Sequence, residues 1–321
     1  IIGKGLEYNL IRRPNEVQDK LNKKYFVPTF GYLGSDNMLF SEDNFPDPYF
    51  AIGRLAARNA DDIKNYLDKI IQNDNISNLP QTIKDKYWLK RVIHLGGGKT
   101  TGEQDLIKAG LTRIANIIED TLYGGDIFSY FKKSSDPILY ETSEEINRLF
   151  SDGVSFVNFF GHSSAGSWEF PIDNPRNFTN FGRYPFLNAL GCYAGNLHAD
   201  GIGLSESFVL EKGRGSIAFL ASTGTAFIPS LSNYGNVFFQ RILKTSKERS
   251  YGQIIRDIAH EYRNVTSSDL ALYSQITYHG DPALKFHDYP GSDYMFDPST
   301  VKTVPSIVQS TQKTFSVQLD L

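Results

Sequence analysis

One cysteine, Cys192, occurs among 321 residues. No internal disulfide framework can form, so redox compartment cannot be read from pairing and the lone thiol needs another explanation. No charge of one sign dominates either. Lys and Arg number 33 against 36 Asp and Glu, the formal net charge is −3, and no block of like charges runs along the chain. An electrostatic case for nucleic acid or an anionic membrane is therefore missing, and neither is expected as a partner. Apolar runs fall short of the roughly 18 residues a membrane helix needs, so no transmembrane segment is expected. The opening Ile1-Ile2-Gly3-Lys4 has neither an initiator Met nor a charged-then-apolar leader, and reads as a chain cut from a longer precursor. Internal repeats and low-complexity tracts are absent. What remains, 40% hydrophobic and 21% charged, is ordinary for a soluble globular protein with one or two sizeable cores.

Short apolar runs bounded by turn residues alternate with amphipathic stretches, which predicts a doubly wound, mostly parallel α/β sheet. Strands are predicted at Tyr25 to Thr29, Tyr49 to Ile52, Arg91 to Leu95, Val154 to Phe160, Phe186 to Leu190 and Ser216 to Leu220. Helices are predicted at Ala60 to Gln72, behind the cap Asn59 with Ile63, Leu67, Ile70 and Ile71 on its apolar face, and at Leu106 to Leu122. Others are predicted at Ser143 to Phe150, Leu204 to Leu210, Asn233 to Leu243 and Gly252 to Tyr262. Composition divides the chain into a first subdomain over 1–85, a main α/β subdomain over 86–290, and a Ser/Thr/Val/Pro-rich tail over 291–321. The alternation Phe315, Val317, Leu319 in that tail reads as a strand without partners, the start of a truncated β-sandwich.

Two predicted strands end alike. Val154 to Phe160 runs into Gly161-His162-Ser163-Ser164, and Phe186 to Leu190 runs into Gly191-Cys192-Tyr193-Ala194-Gly195. If these strands are parallel neighbours, an imidazole and the only thiol share the crevice outside the carboxyl ends, where open α/β sheets bind ligands. A thiol with an ordinary pKa near 8.5 is mostly protonated at neutral pH, and an imidazole can take its proton. Acyl transfer also needs amide N–H groups aimed at the developing oxyanion, and the backbones of Ser163 and Cys192 are the candidates. A lone Cys after an apolar strand is more often inert and buried. The coincidence of both residues on glycine-flanked loops at neighbouring strand ends is what favours a thiol enzyme.

At these residues the chain resembles the gingipain-like cysteine peptidases of Bacteroidetes, whose catalytic domains carry a strand, Gly-His and a small loop, followed by a strand ending in the nucleophilic Cys. The likeness extends to Tyr32-Leu33-Gly34-Ser35-Asp36, to Pro48 through Arg58, to Gly213 through Thr223, and to Gly280-Asp281-Pro282-Ala283-Leu284-Lys285-Phe286. It spans roughly residues 25 to 287 in the family's order. The resemblance implies a caspase-like fold in two subdomains followed by an immunoglobulin-like module, with Cys192 as nucleophile and His162 as catalytic histidine of a cysteine endopeptidase. Ser163 stands where the family usually has Gly. Gly102-Glu103-Gln104-Asp105 matches a Gly-Glu-x-Asp loop that supplies a specificity carboxylate in arginine-specific gingipains, so Asp105 is expected to favour Arg or Lys. The position aligned with the family's acidic partner of the histidine is His94, so no third catalytic residue is named.

The resemblance also implies a protein or peptide substrate, type IX secretion machinery as partner, and a secreted or outer-membrane surface location in a Gram-negative bacterium. A sortase-like transpeptidase of the same family is the first alternative, and a non-catalytic surface or adhesion protein the second. Trp168 and Glu169 are expected to line the cleft. Gly96-Gly97-Gly98-Lys99-Thr100 lacks the first Gly of a phosphate loop and reads as a loop beside the cleft. His198 and Asp200 match no common zinc pattern. The chemistry requires no cofactor. Family members bind calcium on acidic loops, so structural calcium is the alternative to a solvated surface for Asp36, Glu42, Asp43 and Asp47.

Overall fold

The computed structural model describes residues 1–12, 25, 27–42, 45–78, 82–134, 140–261, 266–286, 298–309, 311 and 314–318. Six strands form one sheet: β1 (Arg91–Gly96), β2 (Asp126–Phe131), β3 (Phe156–Phe160), β4 (Phe186–Leu190), β5 (Ala218–Ser222) and β6 (Ile276–His279). Their order is β2-β1-β3-β4-β5-β6, parallel throughout except for β6, which runs antiparallel to β5. The four central strands are those the apolar runs predict. Covered on both faces, they need no polar alternation. The edges β2 and β6 carry a weaker signal and were not expected. Two predicted strands do not form. Described residues of Tyr25 to Thr29, and all of Tyr49 to Ile52, are loop, each beside a proline that withholds a ladder donor. Phe26 is outside the described residues.

Helices α1 (Ala60–Asp74), α2 (Thr101–Ile118), α3 (Tyr140–Asp152), α4 (Leu204–Leu210), α5 (Ile228–Gln240), α6 (Tyr251–Glu261) and α7 (Ser267–Gln275) surround the sheet. Ile107, Leu111 and Ile114 of α2 and Leu231, Tyr234 and Phe238 of α5 share one core with Phe156, Phe186 and Leu220. On the opposite face Ile146 and Phe150 of α3 and Phe208 of α4 pack with Val157, Phe159, Leu187 and Phe219. A buried polar row crosses the sheet between these layers. Asn158 Nδ2 lies 3.0 Å from His94 Nε2, and Asn188 Nδ2 donates to Asn158 Oδ1 at 3.4 Å.

The segment before residue 86 builds no sheet of its own among the described residues; Leu55, Ala57 and Tyr66 join the second core. A buried ion pair fastens it to α4, Lys4 Nζ to Glu206 at 2.9 Å, and a second, Arg54 Nε to Asp36 at 2.8 Å, lies within it. Helix α1 is rotated relative to its apolar pattern. Ile63, Leu67 and Ile71 are exposed, while Tyr66 and Lys69 face inward. Lys69 Nζ donates to the carbonyls of Phe208, Val209 and Ser216 at 3.1, 3.0 and 3.2 Å. Two of these belong to the last turn of α4, where carbonyls lack helical donors. In the tail, β7 (Lys302–Val304) pairs antiparallel with β8 (Ser316–Gln318), so the strand around Val317 has a partner after all. Leu319 and the Pro290-Gly291 boundary are outside the described residues.

Candidate active site

Phe160 and Leu190, the last residues of β3 and β4, are register partners. His162 and Cys192 each follow two residues later, at the carboxyl ends of neighbouring parallel strands about 4.8 Å apart. Gly161 N–H extends the ladder to Leu190 O at 3.2 Å. Glycine is required at this junction: a Cβ on Gly191 would come within 2.3 Å of Ser163 Oγ and 2.8 Å of Gly161 O. The loops are then cross-bonded, Ser163 Oγ donating to Cys192 O at 2.8 Å. Among the described residues neither the Ser163 nor the Cys192 amide N–H has an acceptor. Tyr193 holds φ at 59° beside the thiol, a conformation rare for a non-glycine residue and concentrated at functional sites.

His162 Nε2 lies 3.3 Å from Glu103 Oε2. Cys192 Sγ points to Ala226 O at 3.7 Å, and no hydrogen bond joins sulfur and imidazole. Glu103 comes from the first turn of α2, which starts five residues before its expected position. Thr100 and Glu103 form a capping box there, with Glu103 Oε2 accepting from Lys99 N at 2.9 Å and Thr100 N at 3.2 Å. The Lys99 amide, and then the His162 ring, hold its carboxyl below the usual range. The sequence signal for this placement is Thr-x-x-Glu directly after a strand and glycines, which marks a helix start. His94, at the position aligned with the family's acidic partner, is instead an interior residue of β1 whose pKa burial lowers to about 3.

The Glu169 carboxylate is held by backbone amides on both sides of the cleft loops. Its Oε2 accepts from Gly98 N at 2.8 Å and His162 N at 2.9 Å, and Lys132 Nζ is 3.5 Å from Oε1. It joins the loop after β1 to the histidine loop at the switch point of the sheet. Trp168 belongs to the second core. It is 7% exposed and packs its ring 5.0 Å from Phe159, because an indole gains more from the core than from water. Asp105, two residues after Glu103, is exposed on α2 and is not the buried carboxylate that a deep basic pocket requires.

Two of the acidic residues considered for calcium are held by protein groups, Asp36 by Arg54 and Asp47 by His260 Nδ1 at 3.1 Å. Asp43 lies outside the described residues. Among those described, no group of three or more His, Cys, Asp or Glu side chains could hold a metal ion. His198 is buried against the N-terminal segment, its Nδ1 3.3 Å from Gly5 O, and burial lowers its pKa to about 4. No helix among the described residues is long and apolar enough to cross a membrane.

Comparison with known proteins agrees with this architecture. Gingipain R2 and gingipain R1 of Porphyromonas gingivalis are 28% identical over 185 residues, 54% of this chain. The matched region amounts to 23% and 17% of those relatives, so the chain spans less than a quarter of their length. The crystal structure of the Arg-specific cysteine proteinase gingipain R superposes with a TM-score of 0.63 at 18% identity, covering 78% of this chain and 59% of that one. The complex of Porphyromonas gingivalis RgpB pro- and mature domains gives 0.66 at 18% identity, covering 82% and 63%. These likenesses establish the caspase-like α/β fold. With a family model matching residues 2–287, the chain belongs to peptidase family C25.

Proposed function

We propose that the chain is the catalytic region of a cysteine endopeptidase in which Cys192 attacks the peptide carbonyl and His162 carries the proton. The observation that carries this reading is the equal offset of the two residues beyond the paired Phe160 and Leu190. With Nε2 committed to Glu103, Nδ1 is the nitrogen that exchanges protons. The thiol proton passes to His162 as Sγ bonds to the carbonyl carbon, and the oxyanion receives the N–H groups of Ser163 and Cys192. Collapse breaks the C–N bond, and the departing amine takes the proton from the imidazolium. Water, deprotonated by His162, then attacks the thioester and releases the acid and the thiol. The missing hydrogen bond between sulfur and imidazole is compatible with this, since catalytic contacts often tighten only in the substrate complex.

A preference for Arg or Lys next to the cleaved bond is proposed as a weak one. Asp105 is exposed, and an exposed ion pair is worth about 1 kcal/mol or less, a few-fold in rate. Action outside the cell or at the outer surface of a Gram-negative bacterium, with type IX machinery as exporter, is proposed from kinship with the Porphyromonas proteins.

The test is alkylation of Cys192 by iodoacetamide and by peptidyl chloromethyl ketones across pH, in the parent and in His162→Ala. Rapid labelling below pH 7 that depends on His162, with at most a few-fold gain from Arg or Lys in the probe, is the expected result. Slow labelling, indifferent to His162 and rising only near the ordinary thiol value of about 8.5, would sink the proposal.

A further inference from the structure

A cavity of about 560 Å³ opens on the β5–β6 side of the nucleophile loop. Its walls include Phe30, Tyr32, Leu33 and Met38 from the segment before α1, Phe45, and Leu270 of α7, and none of its lining residues carries a formal charge. Phe30, Tyr32 and Phe45 are 44%, 64% and 36% exposed. Clustered exposed rings around a concavity of this size mark a binding surface more often than inert exterior.

The cavity is continuous with the catalytic loops. Leu33 lies so close to Gly224 that a Cβ there would fall 1.8 Å from Leu33 Cδ1. Gly224 O accepts the N–H of Tyr193 at 3.0 Å, directly after the nucleophile, and Ala226 O faces the Cys192 sulfur at 3.7 Å. On the far wall, Gln275 Oε1 accepts from Ser222 Oγ at 3.3 Å. Wall and nucleophile loop are thus fastened to the same residues, 222–226. An extended peptide advances about 3.3 Å per residue. A chain laid across Cys192 toward residues 222–226 would reach the cavity within a few residues.

We propose that this cavity is a substrate subsite for a large apolar side chain, aromatic or aliphatic, within a few residues of the cleaved bond. It rests on the peptidase reading above. A charged side chain would be desolvated there with no ionised partner, so the subsite rejects Asp and Lys as well as admitting Phe and Leu.

The experiment uses quenched fluorescent peptides in which each position from four residues before to four after the cleaved bond is in turn Phe, Leu, Asp or Lys. The parent is compared with Ala271→Trp, which fills the cavity from an exposed position on α7, and with Leu270→Asp, which charges it. At one position the parent is expected to favour Phe or Leu over Asp by about 10- to 100-fold in kcat/KM, the worth of burying one large apolar side chain. Both variants are expected to reduce that preference to about threefold or less while iodoacetamide still labels Cys192 at the parent rate. Should one variant fail to fold, the other carries the comparison. Cleavage with no apolar preference at any position, or with a preference that both variants retain, overturns the subsite alone. Failure of the folded parent to cleave any peptide overturns the peptidase reading and the subsite with it.

Discussion

Replacing Glu103 by Gln separates the charge on the carboxylate from its role in the helix cap. Glu103 Oε2 is 3.3 Å from His162 Nε2, with side chains 32% and 41% exposed. A full ion pair at that separation is worth about 1.3 kcal/mol in bulk water and about 5 kcal/mol at an effective dielectric of 20. Partial exposure favours the lower end, about 1–2 kcal/mol, which predicts a fall of about 5- to 30-fold in kcat/KM. Gln still accepts from the Lys99 and Thr100 amides, so stability should change by less than about 1 kcal/mol. Glu103→Ala removes the cap as well and should lose a further ~0.5–2 kcal/mol of stability. The sign with pH follows from the lowered carboxyl pKa. The stabilisation is present above the ordinary carboxylate range and is lost as pH falls through the lowered folded value. The ratio of parent to Glu103→Gln rates should therefore hold steady through neutral pH and close only below the ordinary carboxylate range. Peptide hydrolysis across pH, with urea unfolding of each protein, measures both quantities. Equal kcat/KM within twofold, or a loss of activity matched by a loss of folded protein, would refute the assignment of Glu103 as the partner of His162.

Two further substitutions probe the supports of the site. Glu169→Ala leaves the amides of Gly98 and His162 without their acceptor, about 1–3 kcal/mol each, so urea unfolding should show roughly 2–5 kcal/mol lost. Its kcat should fall more than its KM rises, and Glu169→Gln should recover part of both; unchanged stability and kcat would argue against the clamp. Lys69→Met removes the side-chain donor of the Val209 and Ser216 carbonyls, while Phe208 O keeps the Ser216 N–H, and should cost about 2–5 kcal/mol. Burial lowers Lys69 from 10.5 to about 7, so between those values the unfolded chain binds more protons than the folded one. From this group the parent should gain stability as pH rises from about 7 to 10.5, and Lys69→Met should not. A difference between the two proteins that ignores pH across that window would contradict it.

The sequence by itself determined the central sheet and the placement of His162 and Cys192 at the ends of neighbouring strands. Strands buried on both faces leave uninterrupted apolar runs, and loops at their ends leave glycines, so β3 into Gly161-His162 and β4 into Gly191-Cys192 were legible without coordinates. The helix cap Asn59 was legible too. Tertiary structure decided whatever depends on a partner distant in sequence. The half-covered β2 and the antiparallel β6 gain their identity only from neighbours in the sheet. Helix α1 turns Lys69 inward because the Phe208, Val209 and Ser216 carbonyls converge on its ammonium there, overriding the apolar stripe of Ile63, Leu67 and Ile71. Glu103, Glu169 and Asp105 are alike as residues on a line of sequence. Distance alone makes the first the partner of His162, the second a clamp on its backbone and the third an exposed charge, because electrostatic and hydrogen-bond energies fall steeply beyond contact and sequence spacing does not measure contact.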